Sequence, residues 1–107
     1  MVQNPNLAAA RAFKKELSRA FRESVKVILF GSRARGNYYE DSDYDFIVVS
    51  KAFQGVHELD RYPLVRKHWK TRAPVDVLCY TPQEARKASR FKQSILRKAL
   101  DFGVAVP

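Results

Sequence analysis

Three aspartates stand where this sequence could do chemistry. Asp43 and Asp45 lie two residues apart at the start of an apolar segment, and Asp76 interrupts another apolar segment. Residues two apart in a strand point to the same face, so Asp43 and Asp45 would place two negative charges side by side. Such a pair is costly to bury without a cation, and Mg²⁺ prefers carboxylate oxygens together with substrate phosphate oxygens. The alternative is that the pair belongs to an ordinary solvated loop.

Asp76 strengthens the case for a metal site. It lies within the apolar run Val75–Cys79, where aspartate is disfavoured. A buried carboxylate needs a partner, either a cation of the chain or a metal ion. If this strand lies beside Tyr44–Ser50, Asp76 would complete a three-carboxylate cluster with Asp43 and Asp45. Such a cluster can hold two metal ions for in-line phosphoryl or nucleotidyl transfer. An ion pair with one of the abundant Arg and Lys residues remains the alternative for Asp76.

The segment before the aspartates could bind a phosphate. Gly31 follows an apolar strand and allows the backbone to approach a ligand, since glycine has no Cβ. Ser32 supplies a hydroxyl and could cap a short helix beginning at Arg33, whose N-terminus would favour an anion. Arg33 or Arg35 could add charge-assisted hydrogen bonds to the same phosphates. Most Gly-Ser turns after a strand are only structural, so this segment is informative only together with the aspartates.

Length and composition restrict the class of protein. A chain of 107 residues with 46% hydrophobic residues is predicted to form a single domain over residues 1–107. One cysteine and two histidines exclude an internal disulfide and a zinc site of the usual spacing. No apolar run approaches the ~20 residues that cross a bilayer. We therefore expect a protein of the cytoplasm that makes no use of a membrane.

The net charge of +9 is unevenly distributed. Residues 27–50 contain two arginines and four acids, which are Glu40, Asp41, Asp43 and Asp45. Their net charge is 2 − 4 = −2, which leaves +11 for the rest of the chain. An acidic segment within a basic protein suits Mg²⁺ and a polyphosphate. The basic residues are interleaved along several predicted helices, without a row of aromatic side chains for stacking. We therefore do not expect direct nucleic-acid binding to be the main role.

Hydrophobic periodicity predicts three strands separated by helices. In chain order we predict a helix over 7–22, a strand Val25–Phe30, a short helix from Arg33, a strand Tyr44–Ser50, a helix over 59–69 that Pro63 starts or interrupts, a strand Val75–Tyr80 and one last helix from Pro82 to Phe102. This order implies an α/β (α+β) fold with a small, mostly mixed sheet of three to four strands and helices packed on it.

These residues together resemble the nucleotidyltransferase superfamily that includes DNA polymerase β, and especially its minimal nucleotidyltransferase branch. The family motif is Gly-Ser, ten residues, then Asp-x-Asp, with a third aspartate on a later strand, and this chain matches every part of it. The resemblance implies the nucleotidyltransferase fold, two Mg²⁺ ions and a bound nucleoside triphosphate. The implied metal-binding and catalytic residues are Asp43, Asp45 and Asp76, and the implied nucleotide-binding residues are Gly31, Ser32, Arg33 and Arg35.

The resemblance also implies a reaction and a partner. Such enzymes move a nucleoside monophosphate from a nucleoside triphosphate to an acceptor hydroxyl and release pyrophosphate. Minimal members are typically paired with a helical HEPN-family toxin, and AMP from ATP is added to a tyrosine of that toxin, so that the enzyme acts as antitoxin. Two alternatives stay open. The chain could neutralise a partner by contact alone, or it could transfer a nucleotide to an RNA end.

Overall fold

One four-stranded mixed sheet organises the chain in this computed structural model, which describes residues 6–36, 38–39 and 41–107. The spatial order of the strands is β3-β2-β1-β4. β1 is antiparallel to β2 and to β4, whereas β2 and β3 are parallel. The prediction of a mixed sheet is confirmed. The strands are β1 (Lys26–Phe30), β2 (Tyr44–Val49), β3 (Val75–Tyr80) and β4 (Val104–Ala105).

Helices pack on both faces of the sheet. They are α1 (Ala8–Phe21), α2 (Ser32–Arg35), α3 (Glu58–Arg66), α4 (Pro82–Ala88) and α5 (Ile95–Phe102), with a 3₁₀ turn over Lys51–Phe53. The larger core lies between α1, α3 and one face of the sheet, where Phe13, Phe46 and Trp69 pack edge to face or tilted. In the described ranges no helix is both long and apolar enough to cross a membrane.

The second core, on the opposite face, is small and leaves part of that face open. It consists of Ile28 and Ile47 from the sheet and Leu96 and Ala99 from α5, with residues of α4 at its margin. Because side chains alternate along a strand, every second residue of β2 faces this side. This partly covered face is the one on which the candidate site lies.

The last helix is two helices, which corrects the prediction of one helix from Pro82 to Phe102. The predicted N-terminus at Pro82 is correct, because Thr81 and Glu84 form a reciprocal capping box at the start of the helix. The break comes at Ser94, whose hydroxyl donates to the carbonyl of Ala88 and accepts from the N–H of Arg97. A serine side chain that satisfies a helix N-terminus starts a new helix, which a continuous apolar stripe does not reveal.

Three smaller corrections follow from backbone geometry. α2 begins at Ser32, so Gly31 and not Ser32 is its N-cap residue. Pro63 lies inside α3 and neither starts nor interrupts it. The two-residue strand β4 was not among the predicted strands, because its only signal is its pairing with Ile28 and Leu29 of β1.

A buried arginine ties α3 to β3 and α4. Arg61 is 7% exposed and donates to both carboxylate oxygens of Glu84 at 2.6 and 3.1 Å. It also donates to the carbonyls of Val56 and Cys79. The hydrogen bond from Arg61 lowers the pKa of Glu84 below its ordinary 4.5. Ionised Glu84 is therefore part of what holds α4 against the edge of the sheet.

We expect Glu84→Gln to lower the free energy of unfolding by about 1–2 kcal/mol at pH 7, because Gln keeps the capping-box geometry but not the charge. Since the folded pKa of Glu84 lies below its unfolded value of 4.5, this contribution is complete above that value. It is lost as the pH falls through the folded pKa.

Urea unfolding of both proteins between pH 7 and pH 3 measures the difference. Asp101→Asn, which breaks the exposed ion pair with Arg97, is the control and should cost less than about 0.5 kcal/mol. A difference for Glu84→Gln that persists unchanged at pH 3 would contradict the assignment.

Candidate active site

The strand register brings two of the predicted aspartates together. Asp45 of β2 and Asp76 of β3 are direct partners in the parallel pair, so they occupy neighbouring strands about 4.8 Å apart. Asp45 shares the face of Ile47, and Asp76 shares the face of Leu78, so both side chains lie on the partly covered face of the sheet. Asp43 immediately precedes β2 and is exposed. The condition for a cluster of carboxylates, that the third strand lies beside the second, is met.

The electrostatics show that the charges of Asp76 and Asp43 act on Asp45. The pKa of Asp45 is raised, first by its partial burial and then by the negative charges of Asp76 and Asp43. The positive charge of Arg35 opposes this and lowers the pKa of Asp45. A half-buried carboxylate with two like charges near it is disfavoured as an anion unless a cation joins it. The negative charges around Asp45 therefore repel one another, and a bound cation would relieve this repulsion.

The chemistry of these donors fits Mg²⁺ only with a substrate present. Among the described residues, no three His, Cys, Asp or Glu side chains are arranged as a ready-made metal site. Mg²⁺ is usually bound by one or two carboxylates together with substrate phosphates, and seldom by an all-protein cage. Asp43 and Asp45 supply the carboxylates, and Asp76 lies beside them at the open margin of the sheet. The two ions that the motif predicts stay a prediction.

Gly31 contacts the central carboxylate through its backbone. It ends β1, and the last residue of that strand, Phe30, is the register partner of Asp45. A Cβ built on Gly31 would overlap Oδ2 of Asp45 and lie 3.2 Å from its Cγ. The φ of +76° also belongs to the region that favours glycine. Gly31 is therefore required at this position by both its conformation and its contact with Asp45.

The rest of the Gly-Ser segment faces the same corner of the sheet. Ser32 is half-buried as the first residue of α2, and Gly36 ends that helix with a φ of +81°. Arg35 is exposed, and its effect on the pKa of Asp45 shows that its charge acts on the carboxylates. Ser32 and Arg35 thus flank the place where a ligand of Gly31 and Asp45 would sit. Phosphate binding by these residues stays a prediction.

Arg33 has a different environment from the one the sequence suggested. It is 7% exposed, and its Nε and Nη2 donate to the carbonyl of Ser42 at 3.1 and 2.9 Å. Its Nη1 donates to the hydroxyl of Tyr44, and its guanidinium lies over the rings of Tyr44 and Tyr38 at 4.1 and 4.6 Å. These contacts join α2 to the residues on both sides of Asp43. These contacts favour a positioning role for Arg33, whereas phosphate binding by Arg33 stays a prediction.

We expect Arg33→Lys to lower the free energy of unfolding by about 1–3 kcal/mol, because an ammonium group cannot make the paired hydrogen bonds to Ser42 while stacking on Tyr44. Arg35→Lys, at an exposed position, should change it by less than about 0.5 kcal/mol. Chemical denaturation of the two variants measures the contrast. An Arg33→Lys protein that is as stable as the wild type but binds nucleotide more weakly would contradict the positioning role.

A cavity beside Gly31 adds residues that the sequence reasoning missed. It has a volume of about 460 Å³, and Phe30, Gly31 and Arg35 form one wall. The other wall is α5, through Ile95, Lys98, Ala99 and Phe102. Lys98 could have been noticed from its spacing, because it stands three residues after Ile95 and four before Phe102, on the apolar side of the helix.

The same architecture occurs in solved and curated proteins. A family model described as "Nucleotidyltransferase domain" matches residues 10–102, which include all the motif residues. This chain belongs to the nucleotidyltransferase family. The cluster of Asp45, Asp76 and Gly31 is therefore part of a nucleotidyltransferase. Enzymes of this class generally use a nucleoside triphosphate and a divalent metal ion.

Two relatives place the nucleotidyltransferase more closely. It is 30% identical over 97 residues to a Methanocaldococcus jannaschii protein named "putative protein adenylyltransferase", which covers 90% of this chain and 93% of that one. It is also similar to a crystal structure titled as a "putative nucleotidyltransferase" from Sulfolobus solfataricus. That similarity has a TM-score of 0.60 and 31% identity, and it covers 76% of this chain and 71% of that chain. The expected nucleotidyltransferase fold is confirmed.

Proposed function

We propose that this nucleotidyltransferase transfers AMP from ATP to a hydroxyl group of a protein in the cytoplasm. The observation that carries the proposal is the pairing of Asp45 with Asp76, with Asp43 and the Gly31 backbone beside them. The name of the M. jannaschii relative, a "putative protein adenylyltransferase", supports a protein as the acceptor. The acceptor that we propose is a tyrosine of a helical HEPN-family toxin, which the enzyme would neutralise as its antitoxin.

In this proposal, the carboxylates of Asp43 and Asp45 hold two Mg²⁺ ions, with Asp76 beside them on the next strand. The bound ions would supply positive charge for the phosphate oxygens and lower the pKa of the acceptor hydroxyl. Gly31 lets the end of β1 lie against Asp45 without a side chain between them. Ser32 and Arg35 bind the phosphates, and Arg33 keeps α2 in place against the residues around Asp43.

The transfer needs one bond to form and one to break. The acceptor oxygen attacks the α-phosphorus of ATP, the new O–P bond forms, and the bond from that phosphorus to the β-phosphate oxygen breaks with release of pyrophosphate. Asp76 is exposed at the open margin of the sheet and can accept the proton of the acceptor hydroxyl. Positioning and electrostatic stabilisation supply most of the rate in reactions of this kind.

The surface charge agrees with a protein acceptor. Exposed cations lie on α1, in the connection from α3 to β3 and on α4, and include Arg11, Lys15, Lys67, Arg72 and Arg86. This distribution covers several sides of the described chain and follows no single stripe, as a nucleic-acid track would. It suits an acidic protein partner, and the substrate triphosphate would be attracted by the same field.

The decisive experiment mixes the enzyme with its proposed partner, a HEPN-family protein, together with ATP and Mg²⁺. We expect mass spectrometry to show one adenylate on a tyrosine of that protein, and none when Mg²⁺ is removed with EDTA. RNA oligonucleotides in a parallel reaction test the RNA-end alternative. Adenylate on the RNA and none on the protein would overturn the proposal.

Asp43→Asn separates an enzyme from a module that acts by contact alone. If protection depends on transfer, this variant should still associate with the toxin but no longer protect cells that express it. Asp41→Asn is the matched control, since Asp41 is an exposed acid of the same loop. Full protection by Asp43→Asn would favour the contact-only alternative.

A further inference from the structure

The polyphosphate of a nucleotide needs more positive charge at this site than the sequence motif provides. The motif offers Arg33 and Arg35, but Arg33 is buried against Ser42 and Tyr44. Its charge is already used to hold the loop before Asp43. Arg35 then remains as the motif's exposed cation beside several carboxylates. A second exposed cation close to Gly31 would complete the charge balance.

Lys98 of α5 meets that requirement. It is exposed and lines the same cavity as Gly31 and Arg35. Its neighbour Arg97 points elsewhere and forms an ion pair with Asp101 at 2.9 Å. Among the described residues, neither Lys98 nor Arg35 forms an ion pair of its own. The two cations therefore stand on opposite walls of one cavity, with their charges available to a ligand.

The rest of the cavity is apolar and suits an aromatic ring. Phe30, Ile95 and Phe102 line it, and Ile95 and Phe102 are 54% and 78% exposed. Exposed apolar side chains of this size rarely cluster without a ligand or partner. The volume of about 460 Å³ falls within the range of about 300–1,000 Å³ for small-molecule sites.

The cavity is continuous with the carboxylate cluster. Phe30, in the cavity wall, is the register partner of Asp45, and Gly31 contacts both the cavity and the Asp45 carboxylate. A molecule that has phosphates at Gly31 can therefore reach the apolar wall of α5 without leaving the surface. One cation on each wall, together with apolar side chains in the same cavity, matches a nucleoside triphosphate better than an apolar peptide segment.

We propose that this cavity is the nucleotide pocket of the enzyme, with Lys98 and Arg35 binding the polyphosphate and Phe102 and Ile95 packing against the base. The proposal rests on the nucleotidyl transfer proposed above and adds α5 to the substrate-binding machinery. Lys98 is a polyphosphate-binding residue, and Phe102 is a base-binding residue.

Binding of ATP and of inorganic tripolyphosphate, each with Mg²⁺ and without an acceptor protein, tests the two roles separately by calorimetry. We expect Lys98→Gln to raise the dissociation constant of both ligands about tenfold, as for loss of one charge-assisted hydrogen bond. Phe102→Ala should weaken the binding of ATP about fivefold. It should change the binding of tripolyphosphate less than twofold, because tripolyphosphate has no base. Both positions are exposed, so both variants should fold.

Arg97→Gln is the matched control, because it removes one positive charge from the same helix outside the cavity. It should change both constants less than twofold. The inference is overturned if Lys98→Gln behaves like Arg97→Gln, or if Phe102→Ala weakens tripolyphosphate as much as ATP. Since no acceptor is present, the outcome is independent of the acceptor. Normal nucleotide binding with no adenylate on a protein would contradict the proposed function alone.

Discussion

Asp45→Asn should reduce nucleotidyl transfer by about a thousandfold or more, equivalent to about 4 kcal/mol of activation free energy. Asp45 is the central carboxylate of the site, since it pairs with Asp76 in the sheet and lies against Gly31. Asparagine keeps the shape but removes the charge that a divalent cation requires. The rate of adenylate transfer from labelled ATP to the acceptor measures the loss of activity.

The same variant should fold at least as well as the wild type in the absence of metal. The negative charges of Asp76 and Asp43 and partial burial all disfavour ionised Asp45, so removal of its charge relieves repulsion. Thermal unfolding in EDTA should therefore give an equal or higher midpoint. Asp41→Asn, in the exposed loop before β2, controls for the loss of one acid and should retain activity. An active Asp45→Asn enzyme would remove Asp45 from the catalytic centre.

Gly31→Ala should be nearly as damaging, although it changes no charged group. The added Cβ would overlap Oδ2 of Asp45 and force the carboxylate or the end of β1 to move. A displacement of about 1 Å in a catalytic group can cost a hundredfold in rate. We therefore expect a loss of about a hundredfold or more in transfer, measured with saturating ATP and acceptor.

Gly55→Ala provides a close control for the backbone strain. Gly55 has a φ of +77°, almost the same as the +76° of Gly31, but a Cβ there would meet nothing within 4 Å. Backbone strain should cost both variants about 1–2 kcal/mol of stability, and Gly31→Ala should lose more because its Cβ also overlaps Asp45. Only Gly31→Ala should lose activity at a temperature where both are folded. Equal activity of the two variants would show that the contact with Asp45 is unimportant.

Much of the site could be predicted because its signals are local. Gly31, Ser32, Asp43 and Asp45 lie close together in the sequence, from the end of β1 to the start of β2, so their spacing in the chain constrains their spacing in space. Asp76 could be singled out because aspartate is disfavoured in an apolar strand, although the structure leaves its side chain exposed and not buried as the sequence suggested. The sequence favours a mixed sheet because the short Ser32–Tyr44 connection could serve either a parallel or an antiparallel pair, and the structure shows that β1 and β2 are antiparallel.

Errors arose where a side chain's partner is distant or small. α4 ends at Ala88 and the hydroxyl of Ser94 caps the start of α5, but the apolar stripe across this break looked continuous in the sequence. The strand β4 exists only because β1 offers it an edge. Phosphate binding by Arg33 stays a prediction, and its hydrogen bonds to the carbonyl of Ser42 and the hydroxyl of Tyr44 were not foreseen from the sequence.

The sequence by itself determined the chemistry of this protein, because the Gly-Ser segment and the aspartates have residue types and spacings that few other functions require. Only the tertiary structure decided how these groups are used. Strand pairing placed Asp76 beside Asp45, and the packing of α5 on the sheet brought Lys98 to the cavity at Gly31. Both depend on contacts between segments far apart in the chain. The net charge of +9 thus separates into an acidic cluster at the strand ends and the cations around it, two of which, Arg35 and Lys98, face the same cavity.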